Sequence, residues 1–388
     1  MNSKTVTIIV VYILAFLTGV NFVVFPALGT VFTDPSLFTL TSSQFGNLFI
    51  PQVICIIVAC FGAPFLINKT GPKPVLVCGL LLMIISTGCL WMLHYFMANK
   101  TLLFPVLMVL VAFMGAGFGL SITTLNPLAA SLFDDNRSSA ILILQFLVGL
   151  GTSTSPLMMN LIGDVKNWKY VPGSIFIMVS VAFVMFLFLK IQKGTLFQLP
   201  DHFKIPGKLW IFFITIILYG CIEGTFGSFG GIILKNQGLD NSKASLGLSL
   251  FWGGIAINRL LFGIFSKKFN VSYVFLISPL FVAGFLTLMV VDPDINILLL
   301  LMFFIGFFMG SIFPGSIGWG TAEFPMFSVL VSGFLMAANQ IGTGVVTNVL
   351  GSFSNYTSAI LESLIALMLI IFALLFYLKR NSKIKEAF

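Results

Sequence analysis

An acidic residue lies inside an apolar, glycine-rich stretch of the sequence, YGCIEGTFGSFGGIIL (219–234). Glu223 is the only charged residue of this stretch, and the next charge along the chain is Lys235. Apolar surroundings disfavour the ionised form of a carboxyl group, whereas water or a nearby cation favours it. A carboxyl group that alternates between two such environments takes up a proton in one and releases it in the other. Glu223 is therefore a candidate for reversible proton binding or for contact with a polar ligand.

A single arginine, Arg259, lies in a second apolar stretch, LSLFWGGIAINRLLFG (248–263). At 1.5 Å of helical rise per residue, Glu223 lies about 22 Å from Lys208 and Arg259 about 12 Å from Lys267. This difference of about 10 Å predicts that Arg259 does not meet Glu223, and that it contacts an anionic or hydroxyl-rich ligand or helix-end carbonyl groups. Two alternatives stay open: a permanent ion pair that only joins two helices, and an arginine that extends back to the polar end of its segment.

Amide and aromatic side chains inside other apolar stretches are further candidates for ligand binding. An amide both donates and accepts hydrogen bonds, and an indole ring combines an apolar face with a polar N–H group. Each amide could equally well join two helices, so both roles stay open. Gln145 and Gln340 are of special interest because they begin similar motifs, QFLVG and QIGTG. The candidate ligand-binding residues are Asn21, Asn126, Gln145, Trp252, Asn339 and Gln340.

Residue types that support enzyme or metal chemistry are scattered along the chain. The five cysteines are odd in number and show no disulfide or metal-ligand spacing. His94 and His202 stand apart from them and from each other. The sequence also has no phosphate-binding glycine loop and no nucleophile–base arrangement. We therefore predict a protein that is not an enzyme and that binds no cofactor and no metal. The cysteines, all within apolar segments, are Cys55, Cys60, Cys78, Cys89 and Cys221.

The composition of the chain indicates an all-α integral membrane protein. Hydrophobic residues occupy 58% of the 388 positions and charged residues 8%, whereas about a quarter of the residues of a soluble domain are charged. Apolar runs of about 18 or more residues recur from end to end, and each can cross roughly 30 Å of hydrocarbon as a helix. The first run lacks a cleavage pattern, so we expect it to be retained as helix 1. The twelve predicted transmembrane helices cover residues 6–30, 44–67, 74–95, 102–132, 138–162, 171–191, 208–235, 244–266, 272–291, 294–321, 327–351 and 356–378.

The distribution of basic residues predicts the orientation of the chain. If both termini are cytoplasmic, the inner segments carry fourteen lysines and arginines and the outer loops five, in agreement with the positive-inside rule. The net charge of +8 then faces anionic lipid head groups and requires no nucleic-acid partner. We therefore expect a multi-pass monomer of the cytoplasmic membrane. Loop and helix-end acids that we expect to be solvated are Asp134, Asp135, Asp292, Asp294 and Glu323.

A polar connection, KIQKGTLFQLPDHFKIPGK (190–208), separates two sets of six apolar segments. Internal similarity supports a duplicated unit, because Gly46 aligns with Gly247 and, at the same offset, Gly62 aligns with Gly263. Gln145 and Gln340 follow in the order that such a duplication predicts. We predict an N-terminal six-helix bundle over residues 1–192, a cytoplasmic linker over 193–207, and a C-terminal six-helix bundle with a short cytoplasmic tail over 208–388.

Two six-helix halves joined by a basic loop resemble the major facilitator superfamily of secondary transporters, and the resemblance covers the whole chain. The superfamily's loop signature, a glycine followed by Asp-Arg-x-Gly-Arg, is present in altered form as PFLINKTGPK (64–73), with Asn68 in place of the acid. The stretches GFGLSITTLNPL (117–128) and LSLFWGGIAINRLLFG (248–263) are similar to the fucose-permease branch of proton-coupled sugar carriers. Fucose carriers of that branch have acids in helices 1 and 4, where this chain has Asn21 and the stretch SITT (121–124).

The resemblance implies twelve transmembrane helices in two pseudo-symmetric six-helix bundles. It implies a secondary active transporter that moves a small polar organic solute, with a sugar favoured, by alternating access. Proton-coupled uptake would then use Glu223 and Arg259, and Trp252 could stack on a sugar ring. Export of an amphipathic metabolite or drug is an alternative, as is a non-transporting sensor that retains the carrier fold.

Overall fold

A computed structural model describes residues 3–96, 100–133, 137–191, 206–265, 272–291, 295–324, 328–353 and 356–382. All regular secondary structure in these ranges is helical. The chain forms two compact units, Met1–Gln198 and Leu199–Phe388. Helices occupy each of the twelve segments that the sequence predicts to cross the membrane. Nine helices of the described ranges are long and apolar enough to cross a membrane by length and composition alone.

The first unit contains nine helices and two short 3-10 turns in the described ranges. Helix 2 of the predicted set consists of α4 and α5, which follow each other almost without interruption. The 3-10 turns are Leu93–Tyr95 and Val165–Asn167. The helices are α1 Ser3–Phe22, α2 Val24–Ala27, α3 Gly29–Phe32, α4 Ser42–Asn47, α5 Phe49–Thr70, α6 Pro72–Met92, α7 Lys100–Ser131, α8 Arg137–Ile162 and α9 Tyr170–Leu187.

The second unit contains seven helices in the described ranges. Its tenth predicted membrane segment is divided into α13 and α14. The helices are α10 Gly207–Asn236, α11 Asn241–Phe265, α12 Ser272–Val291, α13 Ile295–Met309, α14 Ile312–Glu323, α15 Ser328–Phe353 and α16 Thr357–Asn381.

Proline and glycine account for the interruptions of the helices. Pro26 has no N–H group to donate to the carbonyl of Phe22, and α1 ends at Phe22. Pro314 likewise cannot donate to Gly310, and α13 ends one residue before that glycine. Between α5 and α6, Gly71 adopts φ +92°, a conformation that residues with a Cβ atom rarely adopt. These positions mark where helices end, and they leave α2, α3, α13 and α14 shorter than the roughly 20 residues that cross a membrane.

Glycines bring helices into backbone contact in the same way in both units. In the first unit, α1 packs on α8, and a Cβ atom added to Gly19 or to Gly151 would overlap a backbone carbonyl oxygen of the facing helix. In the second unit, Gly220 of α10 and Gly342 of α15 show the same reciprocal arrangement. Small residues allow such close approach of membrane helices, where dispersion contacts replace the hydrophobic effect. The two glycine pairs therefore mark equivalent positions of the duplicated unit.

This equivalence corrects one sequence alignment. Gly19 and Gly220 differ by the 201 positions that also separate Gly46 from Gly247, but Gly151 and Gly342 differ by 191. At that offset Gln145 corresponds to Met336 and not to Gln340. The prediction that Gln145 and Gln340 occupy matching positions was therefore wrong by four residues, about one helical turn. The error arose because glycines recur at similar spacing on helices 5 and 11, so short motifs align in more than one register.

Candidate functional site

The carboxylate of Glu223 lies in the middle of α10 and is bound by side chains from three helices. The residue is 8% exposed. The Tyr219 hydroxyl donates to Oε1 at 3.0 Å, and Nδ2 of Asn339 donates to Oε2 at 2.8 Å. Nη2 of Arg259 lies 3.6 Å from Oε1. We refer to Tyr219, Glu223, Arg259 and Asn339 as the carboxylate cluster.

Helix geometry places these groups together. Tyr219 and Glu223 are four residues apart on α10, so their side chains lie on one face of that helix. Gly220 and Gly342 allow α15 to approach α10 closely enough for the Asn339 amide to reach the carboxylate. One turn further along α15, the Thr343 hydroxyl donates to the carbonyl of Gly220 at 3.2 Å. The cluster thus depends on the tight packing of α10 against α15.

Arg259 contacts Glu223, so the prediction that the two residues lie too far apart in depth was wrong. Glu223 lies 13 residues before Asn236, the last residue of α10, and Arg259 lies 18 residues after Asn241, the first residue of α11. At 1.5 Å per residue, their distances along the helices from this shared turn differ by only about 7 Å. Cα–Cβ bonds tilt toward the N-terminus of a helix, and α10 and α11 run in opposite directions on either side of this turn. The Glu223 side chain therefore leans away from the turn and the Arg259 side chain leans toward it. The sequence-based estimate counted each residue from a different lysine, and Lys267 lies outside the described residues.

The ion pair in this cluster is loose. Charge-assisted N–H···O bonds are usually about 2.7–2.9 Å long, whereas the Arg259–Glu223 distance is 3.6 Å. The Arg259 side chain is 16% exposed and that of Glu223 is 10% exposed. Nε of Arg259 and Oδ1 of Asn339 are buried with no hydrogen-bond partner among the described residues. Because buried polar atoms are nearly always hydrogen-bonded, these two atoms are positions where water or a ligand would bind.

Trp252 belongs to the same region of the second unit. It lies seven residues before Arg259, and thus on the same face of α11. Its ring lies against Gly227 of α10, where an added Cβ atom would be 2.7 Å from Cζ2. Gly227 follows Glu223 by one helical turn. Trp252 is 7% exposed, and its Nε1 has no hydrogen-bond partner among the described residues. The indole therefore offers a free N–H donor beside the carboxylate cluster.

Sequence reasoning missed one member of the cluster. Tyr219 was not among the candidate site residues, although it is fully buried and donates directly to Glu223. Its spacing of four residues from Glu223 on a predicted helix was the signal that would have identified it. The ring of Tyr219 also stacks on Phe313 of α14, with centroids 6.1 Å apart. Its hydroxyl is therefore fixed by packing as well as by the hydrogen bond.

Gln340 and the three candidates of the first unit have other surroundings. Gln340 is buried and follows Asn339 directly, so it points about 100° away around α15. In the first unit, Nε2 of Gln145 donates to Oδ1 of Asn126 at 2.9 Å. Asn21 donates to the Leu17 carbonyl of its own helix at 3.1 Å, and its Oδ1 has no partner among the described residues. Of the eight residues proposed from sequence, the structure joins Glu223, Arg259 and Asn339 directly, with Trp252 beside them.

A second ionic cluster lies at one end of the second unit. Lys208 at the start of α10 donates to Oε1 of Glu323 at 2.9 Å and to the carbonyl of Asn381 at 2.6 Å. The Ser382 hydroxyl donates to Oε2 of Glu323 at 2.6 Å. The Glu323 side chain is only 7% exposed, so the prediction that it is solvated was wrong. Its partners come from helix ends that are far apart in sequence. The four aspartates predicted to be solvated lie outside the described residues.

Helices that span a membrane, together with a buried carboxylate cluster in the middle of one of them, define the class of polytopic membrane transporters. Charged groups inside membrane segments are costly and mark pathways for substrates or ions. In the described ranges, no group of three or more His, Cys, Asp or Glu residues could hold a metal ion. The sequence profile of the Major Facilitator Superfamily matches residues 7–207, more than half of the chain. The chain belongs to this superfamily.

Individual relatives agree with this assignment. The chain is 27% identical over 320 residues to the glucose/mannose transporter GlcP of Bacillus subtilis, an alignment that covers 77% of this chain and 76% of that protein. The crystal structure of the nucleoside transporter NupG superimposes with a TM-score of 0.73 at 14% identity, covering 97% of this chain and 99% of the other. The D-xylose-proton symporter superimposes with a TM-score of 0.73 at 15% identity, covering 94% and 96% of the two chains.

These comparisons confirm the predicted fold and class. The chain is an all-α integral membrane protein of the major facilitator fold, with twelve transmembrane helices in two pseudo-symmetric six-helix bundles. It is a secondary active transporter and not an enzyme.

Proposed function

We propose that this transporter takes up a sugar together with protons, with Glu223 as the proton-binding group and Arg259 as its partner. The observation that carries the proposal is the loose ion pair at 3.6 Å inside an almost fully buried cluster. A close, well-bonded pair would resist protonation, because removing one charge leaves the other buried and uncompensated. At 3.6 Å the attraction between Arg259 and Glu223 is weaker than in a charge-assisted hydrogen bond. Protonation of Glu223 therefore costs less than it would in a closer pair.

Protonation would change the site in a way that suits coupling. With Glu223 ionised, the cluster contains one negative and one positive group and is neutral overall. With Glu223 protonated, the Arg259 guanidinium loses its counter-charge and is available to the oxygen atoms of a substrate. Proton and substrate binding would then favour each other, and linkage makes that effect reciprocal.

A sugar suits the neighbouring groups. Asn339, Trp252 and Arg259 each have a buried polar atom without a partner among the described residues, and a sugar hydroxyl both donates and accepts. The indole face of Trp252 could cover the apolar face of a sugar ring. The described residues around the cluster include no second carboxylate or uncompensated cation that would favour a charged substrate. The similarity to a glucose/mannose transporter supports the same substrate class.

The test is transport by purified protein in liposomes with an imposed inward proton gradient. Labelled glucose and mannose should accumulate in liposomes that contain the natural protein. Glu223→Gln should abolish this accumulation and keep counterflow exchange, because exchange requires substrate binding but no net proton movement. Glu362→Gln is the matched control, since Glu362 is exposed on α16, and it should accumulate sugar normally.

Two results would contradict the proposal. Gradient-driven accumulation that persists in Glu223→Gln would remove Glu223 from the coupling mechanism. Loss of both accumulation and exchange, with a marked loss of thermal stability, would support the alternative in which the Glu223–Arg259 pair only holds α10 against α11.

We also propose the arrangement expected from the sequence: bundles over residues 1–192 and 208–388, a cytoplasmic linker over 193–207, both termini in the cytoplasm, and a monomer in lipid. The distribution of basic residues supports the orientation. A cysteine introduced at Phe388 should react with a membrane-impermeant thiol reagent only after the cells are opened. Labelling in intact cells would reverse the proposed orientation.

A further inference from the structure

The side-chain amide of Asn339 is bonded on one side only. Its Nδ2 donates to Oε2 of Glu223 at 2.8 Å, whereas its Oδ1 is buried and has no partner among the described residues. The residue is 6% exposed. Only the nitrogen of an amide can donate to an ionised carboxylate, so this orientation of the amide belongs to the ionised state of Glu223. An amide held in this way responds directly to a change in its carboxylate partner.

Protonation of Glu223 would create a conflict at this contact. Oε1 already accepts from the Tyr219 hydroxyl and faces Arg259, whereas Oε2 accepts from Asn339. A proton delivered by a hydronium ion, which leaves as a water molecule, therefore binds most readily to Oε2. If the proton takes the lone pair of Oε2 that now accepts from Asn339, the new O–H group points at the N–H group of Asn339 and two donors face each other. Opposed donors inside a protein are costly, because neither finds an acceptor.

We infer that the side-chain amide of Asn339 rotates by about 180° when Glu223 is protonated, and rotates back when Glu223 is ionised. Rotation about the Cβ–Cγ bond exchanges Nδ2 for Oδ1, and Oδ1 then accepts a hydrogen bond from the protonated carboxyl group. The rotation replaces a donor–donor conflict by a normal hydrogen bond and gives the unpartnered Oδ1 a donor. It moves Nδ2 to the position that Oδ1 had held, where it can donate to water or to the substrate. Asn339 is thus a positioning residue that stabilises both states of Glu223, as donor in one and as acceptor in the other. This inference rests on the proposed proton binding by Glu223.

The inference requires that few other charged groups face Glu223. From its own helix the facing group is Tyr219, from α11 it is Arg259, and the described part of α15 has no titratable residue. Two more helices pack on α10, namely α14 and α16. The first presents Phe313 to Tyr219, and its Glu323 is bonded to Lys208 at the far end of α10. On the second, Glu362 is exposed and the basic residues lie in the last turn.

Infrared difference spectroscopy on the purified protein tests the inference without transport. Spectra recorded at low minus high pH should show a carboxyl C=O band, absent in Glu223→Gln, and a simultaneous shift of an asparagine amide carbonyl band to lower frequency. The shift is expected because a carbonyl that begins to accept a hydrogen bond is weakened. Labelling asparagine with ¹³C in the natural protein identifies the amide band. The amide response should be absent in Asn339→Leu and in Asn339→Asp, two variants of nearly the same shape.

A matched control separates Asn339 from other buried asparagines. Asn258 is 5% exposed and its Oδ1 also lacks a partner among the described residues, but its side chain lies against Gly310 and not against Glu223. Asn258→Leu should therefore keep the amide response. If the carboxyl band appears and the asparagine band does not move, Asn339 is a fixed donor and the inference is wrong. If no carboxyl band appears across the pH range, the proton-binding role of Glu223 fails and the amide switch fails with it.

The pH dependence of gradient-driven uptake gives an independent readout. A fixed donor would stabilise only ionised Glu223, so Asn339→Leu would move the midpoint of the profile to higher pH. An amide that turns stabilises both states, so its loss should leave the midpoint close to that of the natural protein. A clear upward shift in the leucine variant would overturn the inference and, because uptake would still follow the proton gradient, leave the proposed function intact.

Discussion

Replacing Gly220 by alanine tests whether close packing of α10 on α15 holds the carboxylate cluster together. The added Cβ atom would overlap the backbone carbonyl oxygen of Asn339 and would lie 2.8 Å from its Oδ1. Ordinary contacts of a Cβ atom begin near 3.4 Å. Since the nearest obstacle is backbone, side-chain rotation cannot relieve the overlap, and the two helices must separate by more than about half an ångström.

The expected effect follows from this displacement. The overlap costs about 1–3 kcal/mol. The Asn339–Glu223 hydrogen bond, now 2.8 Å long, would lengthen beyond the usual range, and a bond to a charged group is worth about 1.5–3 kcal/mol. The higher helix propensity of alanine offsets up to about 1 kcal/mol of this destabilisation. The net destabilisation is about 2–5 kcal/mol, which corresponds to a fall in melting temperature on the order of 10 °C for a unit of this size.

Thermal unfolding of the purified protein in detergent measures this effect, and Gly230→Ala is the matched control. Gly230 lies on the same helix, but a Cβ atom there would meet side-chain atoms of Met302 and Leu248 at 3.4 and 3.6 Å. The control should therefore melt at or slightly above the temperature of the natural protein. If Gly220→Ala were as stable as Gly230→Ala, the close backbone contact between α10 and α15 would not exist in the protein.

Two further changes test the remaining contacts. Tyr219→Phe removes a donor that binds Oε1 at 3.0 Å. Because a hydrogen bond to an ionised acceptor is stronger than one to a neutral acceptor, the variant should favour protonated Glu223 and move the midpoint of the uptake profile to higher pH. A downward movement would contradict the assigned bond. Lys208→Met removes the cation that bonds the 7% exposed Glu323 side chain. The free energy of unfolding should fall by about 1–2 kcal/mol, a modest value because Lys208 is one-third exposed and solvent screens its charge. Glu323→Gln in the same background should restore part of that loss, and an unchanged or larger loss in the double variant would show that the loss does not come from an uncompensated Glu323 charge.

Much of the architecture could be predicted from the sequence because the membrane imposes simple rules. A helix that crosses lipid must satisfy its backbone internally and must be apolar over about 20 residues, so the apolar runs locate the helices. The breaks after Phe22 and Met309, within the predicted helices 6–30 and 294–321, were not predicted. Proline by itself does not fix a break, since Pro64 and Pro279 lie inside continuous helices. Glu223 was recognisable because an acid in an apolar run is costly and rarely incidental.

The partners of Glu223 could be predicted only in part. Tyr219 lies at a fixed helical spacing from Glu223, so local geometry contained that contact. Asn339 is 116 positions away, and nothing in its neighbouring sequence shows which helix it faces. The Arg259 contact depends on the opposite tilt of side chains on two antiparallel helices, which residue counting along each helix does not include.

Hydrophobic length and charge position are properties of the amino-acid sequence, and they were enough to predict a membrane-spanning helical protein with one acid in the middle of helix 7. The duplication was predicted from internal motif similarity, and the carrier class from the resemblance to the superfamily. Tertiary packing was needed to show that Tyr219, Arg259 and Asn339 bind that acid, that Gln145 and Gln340 are not equivalent, and that Glu323 is paired with Lys208. These facts depend on the register in which glycine-lined helices meet, and a shift of one turn would leave the hydrophobic pattern of every helix unchanged while it brought different side chains together.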